Sequence, residues 1–192
     1  MILVGITGGI GSGKSTVARI LEHMGFPVFY SDKEAATLMD VDPEIREFLR
    51  RLTGEEMHIN QRLDRKKLAD RLFNNKEWLD QVNAFVHPLV RKKFDEWVSH
   101  QHAQVLFNEA AILIETGSHE RFDQLVLVTA PTETRIERAI LRDQSTRDEV
   151  LNRMANQWSD ERKVPFADVI IRNDGSPILC QIERLVEFLL NR

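Results

Sequence analysis

A chain of 192 residues, 42% hydrophobic and 29% charged, has the composition of an ordinary soluble globular protein. That length buries roughly 70% of the unfolded surface, which excludes dependence on disulfides or a structural metal for a core. The net charge of −4, from 26 Lys and Arg against 30 Asp and Glu, excludes a global field that recruits nucleic acid or anionic membrane. An anionic ligand must be held by local clusters.

Residues 2–6 form a short apolar run, as in a parallel strand buried on both faces. After a glycine-rich turn, Val17, Ile20, Leu21 and Met24 have amphipathic-helix spacing, and Gly25 and Pro27 end the pattern. Val28-Phe29-Tyr30 reads as a second strand, so the chain opens as a parallel α/β sheet. From 33 to 103 the pattern is helical throughout, which predicts an inserted subdomain. Asp42-Pro43 starts one helix and Gly54 closes it; Asp64 caps the next. Asn74 and Glu77 have capping-box spacing ahead of Trp78, Leu79, Val82, Phe85 and Val86, and Pro88 should kink or break that helix.

The sheet resumes with three buried-strand runs, Val105-Leu106-Phe107, Leu125–Val128 and Val169-Ile170-Ile171, giving five strands. Between the last two runs lies an arginine-rich stretch, 133–163, with two helical patterns, the second opened by a Thr146/Glu149 capping box. A final amphipathic helix carries Ile178, Ile182, Leu185 and Leu189. The lone cysteine, Cys180, excludes an internal disulfide, fits a reducing compartment and reads as part of a buried helix face. The first residues show no basic leader, and no apolar run approaches the ~18 residues of a membrane span. The expectation is a soluble, cytoplasmic protein with no nucleic-acid or membrane partner. Oligomeric state is not legible.

Gly8-Gly9-Ile10-Gly11-Ser12-Gly13-Lys14-Ser15 matches the P-loop pattern G-x-x-x-x-G-K-[ST] completely. Phosphate oxygens must come within hydrogen-bond distance of successive backbone N–H groups, and side chains would obstruct that approach. The helix beginning near Lys14 adds the positive end of its dipole. Gly9, Gly11, Ser12, Gly13, Lys14, Ser15 and Thr16 are therefore the candidate ATP-binding residues. Lys14 is expected on the β- and γ-phosphates, and the Ser15 hydroxyl on Mg²⁺. A guanine-binding switch would need Asn-Lys-x-Asp; Asn75-Lys76-Glu77-Trp78 lacks the aspartate. A compact sheet with a helical insertion and a late arginine cluster instead suggests a small-molecule kinase with a lid.

At this point the chain resembles the dephospho-coenzyme A kinase family nearly end to end. The resemblance runs from Gly5-Ile6-Thr7 and the P-loop to Ala167-Asp168-Val169-Ile170-Ile171-Arg172-Asn173. Between these lie Leu63-Asp64-Arg65, Leu72-Phe73, Asn83 to His87-Pro88, Arg91, Glu115-x-Gly117, Arg138, Arg142-Asp143, Arg153 and Gln157. The resemblance implies a three-layer P-loop kinase fold with a five-stranded parallel sheet, a helical acceptor-binding insertion (33–103) and an arginine-rich lid (133–163). It also implies transfer of the ATP γ-phosphate, with Mg²⁺, to the ribose 3′-hydroxyl of dephospho-CoA. Two departures stand out. The family usually has Asp-x-Asp after its second strand where this chain has Tyr30-Ser31-Asp32. It usually has Pro-Leu-Leu-Phe-Glu where this chain has Ala111-Ile112-Leu113-Ile114-Glu115.

Asp32, at the carboxyl end of the second strand, is a candidate base for the ribose hydroxyl; the plainer and compatible reading is the N-cap of a helix beginning at Lys33. Arg135, Arg138 and Arg142 share a helical face that is either solvated or turned toward the triphosphate; Arg138 and Arg142 are the candidates for catalysis. Arg65, His87, Arg91, Glu115 and Gly117 are candidate acceptor contacts by family position. Asn173 is a candidate for the adenine pocket and Glu109 a stand-in for the acid that ends a Walker B strand. The alternatives are another P-loop kinase acting on a nucleotide or nucleoside-like alcohol, and a non-catalytic nucleotide-binding switch.

Overall fold

The computed structural model describes residues 1–73 and 75–191. The chain divides into two compact units, one of Met1–Tyr30 with Gln101–Arg192 and the other of Ser31–His100.

In the first unit β1 (Ile2–Thr7) leads through the P-loop into α1 (Lys14–His23) and then β2 (Val28–Tyr30). Gly25 ends α1 with φ 93°, while Gly25 N–H bonds to Glu22 O and Phe26 N–H to Leu21 O, a left-handed cap that only glycine adopts without strain. After the second unit come β5 (Val105–Glu109), β6 (Gln124–Thr129), α6 (Thr132–Asp143), α7 (Arg147–Ala155), the single-turn α8 (Asp160–Lys163), β7 (Val169–Arg172) and α9 (Ile178–Leu190). The sheet order is β2-β5-β1-β6-β7 and every pairing is parallel. β1 lies between β5 and β6, and ligands gather at the carboxyl ends of strands in such sheets. Val4, Ile6, Val105, Phe107, Val126 and Val128 alternate onto one face, where Val17, Leu21, Ile182, Leu185 and Leu189 of α1 and α9 cover them.

Three expectations change here. Ile170 is exposed because β7 is the sheet edge, so that run is not buried throughout. Cys180 is also exposed: two residues from Ile178 it turns away from the Ile182–Leu185–Leu189 face. The stretch 133–163 holds α8 in addition to the two expected helices.

The second unit comprises α2 (Ser31–Val41), α3 (Pro43–Thr53), α4 (Arg65–Phe73) and α5 (Lys76–Ser99), with a hairpin of β3 (His58–Ile59) and β4 (Arg62–Leu63). Asp42 caps α3 through Glu44 and Ile45 N–H, Gly54 closes it at φ 73°, and Asp64 accepts from Lys67 N–H at 3.0 Å. The hairpin interrupts the expected all-helical run. Asn60 and Gln61 both take positive φ, which is what a two-residue hairpin turn requires. Asn74 of the expected capping box lies outside the described residues; α5 is capped by Asn75, which accepts from Trp78 N–H at 3.1 Å. Pro88 does not end α5, which continues to Ser99 with Val82, Val86, Val90 and Phe94 buried along one side. Packing on both sides of the proline offsets its one lost hydrogen bond.

Candidate active site

The P-loop backbone is shaped for anion approach. Gly11 and Gly13 sit at φ 75° and 97°, and Gly13 starts α1 without a side-chain cap. Thr16 N–H turns back to Gly13 O at 2.9 Å, and no side chain caps the N–H groups of Lys14 and Ser15 ahead of it, at the positive end of the helix dipole. The Ser12 hydroxyl is buried with no hydrogen-bond partner. An orphaned buried donor beside uncapped amides is what a bound phosphate would satisfy.

Glu109 ends β5 opposite Ile6 of β1 and Tyr30 of β2, and is 3% exposed. Its Oε1 accepts from Ser15 Oγ at 3.3 Å and lies 3.5 Å from Lys14 Nζ. A P-loop hydroxyl and a carboxylate together suit Mg²⁺, which takes few protein oxygens and shares the rest of its shell with phosphates and water. Among the described residues no cluster of three His, Cys, Asp or Glu side chains forms a complete metal cage. Tyr30 donates to Glu22 Oε2 at 3.0 Å, and burial, then Glu22, pushes its phenol up to about 12. The phenol therefore stays neutral where the family usually carries an acid.

α6 lies against this loop. Arg135 is 6% exposed; its Nε donates to Ile10 O at 2.9 Å and its Nη1 pairs with Asp160 at 3.2 Å. Burial raises the Asp160 carboxyl, against the pull of Arg135 and Lys163. Arg138 Nη2 reaches Asn173 O and Oδ1, both at 3.4 Å, while Nη1 is buried without a partner. Asn173 Nδ2 donates to Ser12 O at 2.9 Å, so Asn173 braces the P-loop backbone directly. Arg142 is exposed and forked onto Asp143 at 2.7 and 3.0 Å; Asp143 also takes Arg153 at 2.8 Å. Those two guanidiniums, Arg142 foremost, hold the Asp143 carboxyl down at about 2.

Glu115 is engaged inside the protein. Its Oε1 pairs with Lys163 Nζ at 2.9 Å and accepts from Trp158 N–H at 3.1 Å. Lys163, fully buried, also donates to Ala111 O. Gly117 takes φ 68° at the start of a short 3₁₀ turn, Ser118–Arg121.

In the second unit Asp32 lies inside the first turn of α2, which begins at Ser31, so it is not the N-cap. His87 on α5 is half-buried; burial, then Arg91, lowers its pKa while Asp32 raises it. Asp32, His87 and Arg91 therefore share one local field. Arg65 is fastened to α2 through Asp40 Oδ2 at 2.9 Å and Ala36 O at 3.0 Å.

The structure thus links the P-loop, Lys14, Ser15, Glu109, Arg138 and Asn173 in one network of contacts. It engages Arg142 with Asp143, Glu115 with Lys163 and Arg65 with Asp40. The contacts of Glu109 with Lys14 and Ser15, and of Arg135 with Ile10, go beyond what the sequence alone indicated. The signal for Glu109 was its place at the carboxyl end of a buried strand; Arg135 had none beyond its helical spacing.

A parallel sheet, an uncapped phosphate loop and an arginine helix beside it define the class: a P-loop kinase. The family model for dephospho-CoA kinase matches residues 2–178. The chain belongs to the dephospho-CoA kinase family. It is 42% identical over 193 residues to the dephospho-CoA kinase of Bacteroides fragilis, covering 100% of this chain and 94% of the relative. The solved structure of Thermus thermophilus TT1252 superposes with a TM-score of 0.85 at 39% identity, covering 99% of this chain and 96% of that one. The dephospho-CoA kinase structure from Campylobacter jejuni gives 0.70 at 26% identity, over 96% and 95%. Among the described residues no helix is long and apolar enough to cross a membrane.

Proposed function

We propose that the chain transfers the γ-phosphoryl group of ATP to the ribose 3′-hydroxyl of dephospho-CoA, giving CoA and ADP. The observation that carries the reading is the uncapped P-loop with its orphaned Ser12 hydroxyl, in a chain of this family. The P-loop amides and Lys14 hold the β- and γ-phosphates. Ser15 and Glu109 are the residues that would hold Mg²⁺, which would supply charge neutralisation for the phosphoryl transfer.

Arg138 aims its free Nη1 at the transferring group while Asn173 fixes the other nitrogen. Asp32 accepts the proton of the 3′-hydroxyl as the new O–P bond forms and the bond to the bridging oxygen of ADP breaks. Acceptor binding falls to the Ser31–His100 unit through His87, Arg91 and Arg65. Glu115 and Gly117 shape the loop after β5. The stretch 133–163 is the lid, with Arg142 reaching phosphate once Asp143 is left to Arg153. Closure excludes water, which otherwise competes as acceptor. The single exposed cysteine fits a reducing cytosol.

The test is ADP production by purified protein with Mg²⁺-ATP, with and without dephospho-CoA, and the product weighed by mass spectrometry. Strong stimulation and an acceptor heavier by one phosphoryl group are expected. ADP release indifferent to the acceptor would reject the substrate, and nucleoside or nucleotide acceptors would be screened next. ATP binding with no turnover of any acceptor would favour the switch.

A further inference from the structure

The P-loop pattern demands glycine only at positions 8 and 13; Gly9 and Gly11 occupy its variable places. Among the protein's own atoms, what crowds both is Arg135. A Cβ on Gly9 would stand 1.9 Å from Arg135 Nη2, and one on Gly11 would stand 2.1 Å from the Arg135 carbonyl oxygen. Gly9 has no positive φ, so nothing in its own backbone calls for glycine. The space exists for the arginine. Ile10, between the two glycines, has both backbone groups held by side chains: its O accepts from Arg135 Nε at 2.9 Å, and its N–H donates to Gln157 Oε1 at 2.9 Å. Asp160 then pairs with Arg135 Nη1.

We infer that Arg135 and Gln157 are positioning residues that clamp the apex of the phosphate loop to the stretch linking α7 and α8, and that Gly9 is glycine to admit Arg135, whereas Gly11 also needs glycine for its own φ of 75°. The physical consequence is pre-organisation. A glycine-rich loop has many backbone states, and a nucleotide must otherwise supply the free energy of selecting the one with its amides converged. Fixing Ile10 at both its donor and its acceptor removes that freedom before ADP or ATP arrives. Lys163 extends the same brace, joining α8 to Ala111 and Glu115 after β5.

The inference rests on the ATP-dependent kinase reading, and nucleotide binding separates the two. ADP affinity is measured with a fluorescent ADP analogue for wild type, Gly9→Ala, Arg135→Met and the double variant. Gly9→Ala and Arg135→Met should each weaken ADP by about tenfold, and the double variant by no more than about twofold beyond Arg135→Met, because the three atoms nearest the alanine methyl all belong to Arg135. Additive losses would mean that Gly9→Ala obstructs the nucleotide directly, which overturns the assignment. Should Arg135→Met fail to fold, Gln157→Met decides. Loss of that hydrogen bond should raise the Kd for ADP and the KM for ATP together, by about fivefold, without raising the KM for dephospho-CoA. A lowered melting temperature with ADP bound as tightly as by wild type would make Gln157 merely structural and sink the clamp. Wild type that binds ADP but forms no CoA would reject the kinase reading and leave the clamp standing.

Discussion

Ser15 gives its hydroxyl hydrogen to Glu109 Oε1 at 3.3 Å, with Lys14 Nζ 3.5 Å from the same oxygen. One buried carboxylate therefore holds both P-loop side chains, Lys14 and Ser15. Its neighbour across the β2–β5 pairing is Tyr30, a neutral phenol, so Glu109 is the carboxylate of that pair. Glu109→Gln keeps the shape and removes the charge. Turnover should fall by about 10²-fold and demand more Mg²⁺ for half-saturation, while ADP binding without metal stays within about twofold. A Mg²⁺ dependence identical to wild type would remove Glu109 from the metal site.

Arg138 divides its two terminal nitrogens, one on Asn173 and one buried without a partner. Arg138→Met should lower kcat by at least about 10²-fold, the scale of a lost charge-stabilising donor. Arg138→Lys should recover little, because an ammonium lacks the planar fork that serves both directions. Full recovery by lysine would show that charge alone suffices.

The parallel sheet and the P-loop were legible because their signals are local: apolar runs three to five residues long and a glycine pattern fixed in register. The partners of Arg135 were not. Arg135, Arg138 and Arg142 recur at helical spacing, yet one is buried on Ile10, one half-buried on Asn173 and one exposed on Asp143. Only the tertiary approach of α6 to the glycines separates them. The Glu115–Lys163 pair joins residues far apart in sequence, and neither has a spacing that announces it. The β3–β4 hairpin escaped because two-residue strands are too short to show a period of two.

That Glu115–Lys163 pair is a stability element. Lys163 is fully buried, and removing it strands a carboxylate that is 12% exposed. Lys163→Met should cost about 3 kcal/mol in urea unfolding, the range for breaking one side of a buried pair. Lys163→Met combined with Glu115→Leu should recover most of that loss, since the uncompensated charge goes with it. A double variant no more stable than the single one would mean that the hydrogen bond to Ala111 O carries the effect.

Asp143 gives the acid limb of the stability curve. Its carboxyl is depressed to about 2 by Arg142 first and Arg153 second, from an ordinary 3.8. A depressed carboxylate binds fewer protons folded than unfolded, so its contribution is present above pH 3.8 and lost as the pH falls toward 2. The group is largely exposed, so salt should weaken the effect. Asp143→Asn should flatten the stability profile across that window and leave it unchanged near neutrality in shape. An unaltered acid limb would mean that the two arginines do not hold Asp143 in solution.

Asp32 acts on His87 through its charge, and that gives its role two independent readouts. Burial and Arg91 lower the His87 imidazole, whereas Asp32 raises it. Asp32→Asn should therefore move the His87 titration, followed by NMR of the imidazole protons, to still lower pH. It should also cut turnover by about 10²-fold or more, the scale of a positioned base, with ATP affinity retained. A shifted titration with turnover near wild type would leave Asp32 as a neighbour of His87 and assign the proton elsewhere. Lost turnover without the shift would place His87 outside the field of Asp32 in solution and leave the base assignment intact.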